Sequence, residues 1–313
     1  MTKNERKQWL KIELTAEPLL IDALSNFLTE IGAQGVSQEE LIPQSEDDFP
    51  DPRAKDILTA YLPNDKRIKE KLASLDRYID SVSDIFPDQA TPSYKTETVA
   101  DSDWGEEWKK YFKPLRVSKS IVIKPTWERC EPVGSDIVIE IDPGMAFGTG
   151  QHPSTRMCLE ALEELMVKKK EDKKCHVLDV GTGTGILGIA SAKLGADRVI
   201  CVDIDKKAIA IARENAKINE VQTRIRFINR DVATVDEPFD LIIANLTANL
   251  LVKLHKHLIS LLEQDGHLIL SGIIEQDKPE IEKHYYTGAL ELQRIITEKE
   301  WVCYILKKNG PKK

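Results

Sequence analysis

The spacing of apolar positions changes along the chain, and the changes divide it. Trp9, Leu10, Ile12 and Leu14 half-alternate with polar residues, as a short strand does. Leu20, Ala23, Leu24, Phe27, Leu28 and Ile31 then recur at helical spacing up to a natural stop at Gly32. A second strand is predicted over 34–41 and a third over 57–62, separated by an acidic, proline-rich loop at 43–53. Ile68, Leu72, Leu75 and Ile79 predict a helix over 64–79, and 93–100 reads as a closing strand. The order β-α-β-β-α-β predicts a small α+β, ferredoxin-like split βαβ sandwich.

Residues 101–115 read as an amphipathic connector, with Trp104, Trp108 and Phe112 at helical spacing and docked on a neighbouring domain. Two short strands, SIVIKP and DIVIEI, surround a turn-rich segment. From residue 154 helix and strand alternate strictly. Helices are predicted over 155–168, 206–218 and 248–263, and strands over 176–180, 198–203, 224–229, 239–245 and 267–272. A last helix and two antiparallel-looking β segments finish the series. Repeated βα units imply an α/β fold with a mostly parallel, right-handedly wound sheet. The domains are read as 1–90, a connector at 91–115, and 116–313.

A length of 313 residues fits that two-domain division, and 41% hydrophobic residues suffice for real cores. No apolar run approaches the ~18–20 residues of a membrane-spanning helix, so no membrane partner is expected. The opening MTKNERKQWLKIEL is too polar for a signal peptide, which predicts a cytoplasmic protein. Cys130, Cys158, Cys175, Cys201 and Cys303 lack CxxC spacing, which argues against a disulfide framework or a zinc site. The histidines form no HxxxH or HxE pattern, so no metal is expected, and His255 with His257 is read onto a solvated helix. No GxSxG motif offers a hydrolytic nucleophile.

Charge is uneven. Residues 1–100 hold 12 Lys/Arg against 19 Asp/Glu, nearly all of the net −8. A nucleic-acid-binding face wants the opposite sign, so no direct nucleic-acid requirement is expected. The acid serves either solubility or attraction of a basic partner.

The strongest chemical signal is VLDVGTGTGILG (177–188), a strand, glycines at Gly181, Gly183 and Gly185, then a helix. Such a turn lies at the carboxyl edge of an open sheet, where ligands bind, and glycine lets a ligand approach the backbone. Gly183, Gly185 and Gly188 also satisfy the dinucleotide fingerprint, so the glycines alone do not choose a cofactor. Asp179, two residues before the first glycine, suits a ligand carrying an ammonium and a sulfonium and would repel a pyrophosphate. Asp203, at the end of the next strand, can take both ribose hydroxyls. Asp231 either accepts from an exocyclic adenine amine or caps local backbone. Asn245 ends the fourth strand of the series. Its amide oxygen either orients an attacking amine or caps a helix.

A second glycine-rich segment, IDPGMAFGTGQHPST (141–155), reads as a loop able to close over a ligand, with Gly144, Gly148 and Gly150 around Phe147. Phe147 either faces the ligand by stacking or cation–π contact or anchors the loop. Ser154 or Thr155 is expected to cap the following helix, with a hydroxyl toward the crevice.

Together DPGMAFGTGQHPST, VLDVGTGTGILGIA, VDIDKKAIAIARENAKIN and IIANLTANLL resemble the PrmA family. These are ribosomal protein methyltransferases that modify large-subunit protein L-eleven. The resemblance runs over about residues 100–305 and includes Trp104, Trp108, Phe112 and Pro114. It implies a Rossmann-like class I methyltransferase domain with a mostly parallel seven-stranded sheet, preceded by a substrate-recognition domain. It also implies S-adenosyl-L-methionine contacts at Thr155, Gly181, Asp203 and Asn245, with a ribosomal protein as partner. The family usually has an aliphatic pair after the motif asparagine, whereas this chain has Leu246 and Thr247. The implied reaction is attack of a neutral amine on a sulfonium methyl. Roughly 10% of an α-amine is neutral near pH 7, against below about 0.1% of a lysine, so lysine needs desolvation or a base. The competing readings are a nicotinamide-dependent oxidoreductase, a methyltransferase acting on RNA or another protein, and a non-catalytic module that keeps the cofactor fold.

Overall fold

Alternation in Gln8–Ala16 (β1) turns Ile12 and Leu14 to one face, and both are fully buried. In this computed structural model, which describes residues 8–33, 36–39, 56–87, 89–100, 112–142, 148–168 and 174–310, that face is the floor of the first of two compact units. Pro18–Glu30 (α1), Ser37–Glu39 (β2), Asp56–Pro63 (β3), Ile68–Ile85 (α2) and Ser93–Ala100 (β4) complete it. The strand order is β2-β3-β1-β4, and every neighbouring pair is antiparallel. Leu20, Leu24 and Leu28 of α1 and Leu75, Ile79 and Val82 of α2 close over Ile12, Leu14, Leu58, Ala60 and Leu62. The second helix starts later than its periodicity suggests. A turn at 65–67, in which Asp65 accepts from the Arg67 N–H at 2.8 Å, delays the start, and Val82 extends the apolar face. The connector with Trp104 and Trp108 lies outside the described residues.

The second unit runs from Lys113. It begins with a three-stranded sheet of Leu115–Arg116 (β5), Ile121–Lys124 (β6) and Ile137–Glu140 (β7). Then follow Pro153–Val167 (α3), His176–Val180 (β8), Ile186–Lys193 (α4), Arg198–Asp203 (β9), Lys206–Ile218 (α5), Ile225–Asn229 (β10) and Phe239–Asn245 (β11). Ala248–Leu261 (α6), Leu262–Ile274 (β12), Lys278–Tyr285 (α7), Leu290–Glu298 (β13) and Trp301–Lys308 (β14) finish it. The order β10-β9-β8-β11-β12-β14-β13 is parallel through β12, and β14 runs antiparallel to both of its neighbours. Period-two alternation divides the core between the two sheet faces. Val177, Val199, Leu241 and Ile243 pack with α3 and α4, while Leu178, Ile200, Ile242 and Leu268 pack with α6. β8 has β9 on one side and β11 on the other, so the winding reverses there and leaves a crevice at the carboxyl ends of these strands.

Candidate active site

The glycine turn sits at that reversal. The Gly181 and Thr182 N–H groups both reach the Val202 carbonyl of β9, at 2.9 and 3.2 Å, which folds the turn down over the neighbouring strand. Gly185 caps α4 with φ +84°, a left-handed conformation that costs glycine little. At Gly188 the requirement is space, since a Cβ there would lie 2.3 Å from the Cys201 sulfur. Asp179 is buried inside this turn. Its Oδ2 accepts from the Thr182 hydroxyl at 2.6 Å and the Gly188 N–H at 3.1 Å, while its buried Oδ1 has no partner among the described residues. Burial pushes its pKa up to about 6 despite those donors, and the negative charge of Asp203 adds to the rise.

Asp203, half-buried at the end of β9, accepts the Gly183 N–H at 3.1 Å on Oδ2 and the Asp205 N–H at 2.9 Å on Oδ1. Each carboxylate oxygen retains acceptor capacity for a further donor. Asn229, its register partner on β10, donates to the Asp203 and Ile204 carbonyls and fixes this strand end. Ile204 follows, a large apolar side chain left 79% exposed. Asp231 is exposed and caps a short 3₁₀ turn through the Ala233 N–H at 2.9 Å, which is the local-capping alternative.

On the other side of β8, Asn245 ends β11 opposite Ser271 of β12. Its Nδ2 reaches the Thr155 hydroxyl at 3.4 Å, and its buried Oδ1 has no partner among the described residues. It does not cap the next helix: Thr247, exposed, holds that position without a side-chain bond. Gly272 opens the space beside it, because a Cβ there would lie 3.0 Å from Asn245 Oδ1 and 2.5 Å from the Leu246 carbonyl. The expected cap of α3 is corrected. His152 caps the helix, its Nδ1 accepting from the Ser154 N–H at 3.2 Å, because Pro153 brings no N–H and a preset φ to the first helical position. Ser154 and Thr155 are helical and buried, and Ser154 offers its carbonyl to the Ser271 hydroxyl at 3.1 Å. Gly148 and Gly150 have positive φ, and a Cβ at Gly150 would strike Ile123. Gly144 and Phe147 lie outside the described residues.

Asp179, Gly181, Gly183, Gly185 and Asp203 thus gather along one strand end, while Thr155 and Asn245 meet across from them. Residues 8–309 match the family model described as Ribosomal protein L11 methyltransferase (PrmA). The chain belongs to the PrmA family. A "Ribosomal protein L11 methyltransferase" of Geobacter metallireducens is 38% identical over 301 residues, covering 96% of this PrmA chain and 98% of the relative. One from Anoxybacillus flavithermus is 36% identical over 317 residues, covering 96% and 99%. A solved ribosomal protein L11 methylase from Lactobacillus delbrueckii subsp. bulgaricus is 34% identical with a TM-score of 0.57, covering 64% of the PrmA chain and all of that one.

Among the described residues of this PrmA chain no group of three or more His, Cys, Asp or Glu could hold a metal ion, and no helix is long and apolar enough to cross a membrane. The five cysteines are free. The expectation of a solvated face for His255 and His257 is corrected. Both are half-buried, His255 ring to ring with His284 at 4.9 Å and His257 against the Val232 carbonyl at 3.0 Å, because α7 and the 3₁₀ turn pack there. Sequence reasoning missed Ile204 and Ser271. An apolar residue directly after a strand-ending aspartate was a usable signal for the first. Nothing local marked the second, which is placed by its register opposite Asn245 and its bond to Ser154, 117 residues away.

Proposed function

We propose that this chain transfers methyl groups from S-adenosyl-L-methionine to amines of ribosomal protein L11, on lysine side chains or the N-terminal α-amine. The observation that carries the reading is Asn245 Oδ1, a buried acceptor at the crevice with no partner among the described residues. A buried unpaired acceptor is costly unless a ligand supplies its donor. The chemistry of the donor set agrees with the cofactor. Asp179 Oδ1, the Asp203 carboxylate and Asn245 Oδ1 are all acceptors, matching an ammonium, a ribose diol and an amine, whereas a pyrophosphate carries no donor for them. The glycine backbone at 181–185 and exposed Ile204 suit a flat nucleoside laid across the strand ends.

Bound there, the cofactor supplies an electrophilic methyl group. The chain's residues do the rest. Thr155 holds the amide of Asn245 by its Nδ2, so Oδ1 is fixed to accept an amine hydrogen and set the direction of the lone pair. Asp203 takes the diol, and Asp179 braces the turn while offering Oδ1. Phe147 and Asp231 are assigned to the adenosine end, Asp231 with its Oδ1 also accepting the Ala233 N–H of its own turn.

The order β2-β3-β1-β4 with two helices on one face supports reading the first unit as a ferredoxin-like recognition domain, and because β4 at Ser93–Ala100 pairs along β1 the domain runs past the expected boundary at residue 90. The connector expected over 91–115 is thereby shortened to the residues after β4, and the second unit, from Lys113, serves as the methyltransferase domain. A cytoplasmic location without membrane or nucleic-acid partner fits a ribosomal protein substrate and the acidic first hundred residues. The test is mass spectrometry of L11 incubated with the chain and methyl-labelled cofactor. Label on its amines is expected. Tight nicotinamide-cofactor binding with no S-adenosyl-methionine binding would overturn the reading.

A further inference from the structure

The first turn of α3 carries Thr155, and three contacts tie that turn to β-structure. The Arg156 guanidinium donates through Nη1 to the Gln151 carbonyl of the preceding loop and pairs through Nη2 and Nε with both oxygens of Glu298, the Nε contact at 3.3 Å. His152, the cap, lies edge-on to Trp301 with ring centroids 4.6 Å apart. Ser271 of β12 donates to the Ser154 carbonyl. Glu298 and Trp301 are the two strand residues flanking the β13–β14 turn, whose Lys299 has φ +53°. That turn is itself secured to the end of β12, through the Glu275 N–H to the Glu300 carbonyl at 2.8 Å and the pairing of Ile274 with Trp301.

We infer that Arg156 and Glu298 are positioning residues, with which the β13–β14 turn holds the loop 148–152 and Thr155 in the place where Thr155 orients Asn245. Neither residue need touch the cofactor or the amine. The antiparallel pair that follows the parallel sheet then has a function besides covering an edge: it carries an anchor for the other wall of the crevice. Arg suits this role because one planar fork serves the loop carbonyl and the carboxylate at once. Both side chains are partly exposed, at 23% and 36%, so their pairing adds little to global stability, and loss of the tie falls on local geometry.

The activity arm of the test rests on the methyltransferase reading; amide hydrogen exchange does not. Arg156→Gln and Glu298→Gln are each expected to speed exchange across 150–157 and to lower kcat roughly tenfold, since small misplacements near reacting groups cost that much. KM for the cofactor should stay within about twofold. The double variant should lose no more than either single, and Arg156→Lys should recover part of the loss. Arg294→Gln is the control. Arg294 joins β13 to α3 through Glu160 and Glu164 at 2.8 and 2.6 Å, but further along the helix. It should leave both readouts as in the wild type. Unchanged exchange over 150–157 in both Gln variants, or an equal effect of Arg294→Gln, would overturn the inference. A wild-type chain that fails to methylate L11 would instead overturn the proposed function and leave the exchange result to decide this one.

Discussion

Replacing Asp179 by Asn is expected to trade function for stability, with a sign that depends on pH. The carboxyl is raised from an ordinary 3.8 to about 6, chiefly by burial, against the opposing donors Thr182 and Gly188. Below about pH 3.8 it is protonated in both folded and unfolded chains and contributes nothing to the balance. Between the two values the unfolded chain has released a proton that the folded one still holds, so stability falls as pH rises. Above about 6 both are ionised and the folded state carries the full penalty, about 3 kcal/mol at pH 7 and about 0.5 kcal/mol at pH 4. Asparagine removes this penalty. Its oxygen can keep the Thr182 and Gly188 donors, but its NH₂ then occupies the unpartnered Oδ1 position at a cost of about 1–3 kcal/mol at every pH. The net change at pH 7 is therefore about 0–2 kcal/mol of stabilisation. The pH-dependent part, about 2–3 kcal/mol between pH 4 and 7, is free of that offset. For a unit of this size it corresponds to roughly 5–10 °C in Tm. Calorimetric unfolding of both proteins at pH 4, 5, 6 and 7 reads it directly, and cofactor titration at pH 7 should show weakened binding by the variant. A stability difference that stays constant from pH 4 to 7 would refute the reasoning, because it would mean the carboxyl is not held in its raised state.

Asn245→Ala should cut turnover far more than cofactor affinity, measured by steady-state kinetics beside calorimetric titration; intact turnover would remove the residue from the mechanism. Asp203→Ala should weaken cofactor binding by tenfold or more, since hydrogen bonds to a charged group contribute about 1.5–3 kcal/mol. Gly188→Ala should destabilise the second unit by about 1–3 kcal/mol, because its Cβ would meet the Cys201 sulfur, and Cys201→Ala in the same chain should restore most of that in urea unfolding. Neutralising the acidic residues of 1–100 should flatten the salt dependence of L11 binding; an unchanged dependence would return that acid to solubility.

The α/β series was legible because parallel strands buried on both faces are written as short apolar runs, and all of β8–β12 except β10 are followed by a helix-period segment. Hence α5 falls at 206–218 as the periodicity predicts, and the glycine turn with Asp179 and Asp203 lies where its spacing put it. Boundaries set by capping were less legible. The sequence pointed to Ser154 or Thr155 as the cap of α3, but His152 takes that place once Pro153 begins the helix. Asp231 and Asn245 each had two readings, and local pattern could not separate them. The fold adds an observation to each: Asp231 caps its own turn, while Asn245 caps no helix and its buried Oδ1 has no partner among the described residues.

Composition, periodicity and the glycine spacing alone pointed to the two-part organisation, the strand–helix alternation that implies a parallel sheet, and the glycine turn at a strand end, because those patterns are written in residues close in sequence. The tertiary structure alone decided what approaches that edge from afar. Thr155 meets Asn245 across 90 residues, Ser271 reaches back to Ser154 across 117, and Glu298 holds Arg156 across 142. Such pairs share no period or motif. They exist because the winding reverses between β8 and β11 and brings the ends of separate strands to one crevice, where a buried acceptor without a partner can be recognised only when its neighbours in space are known.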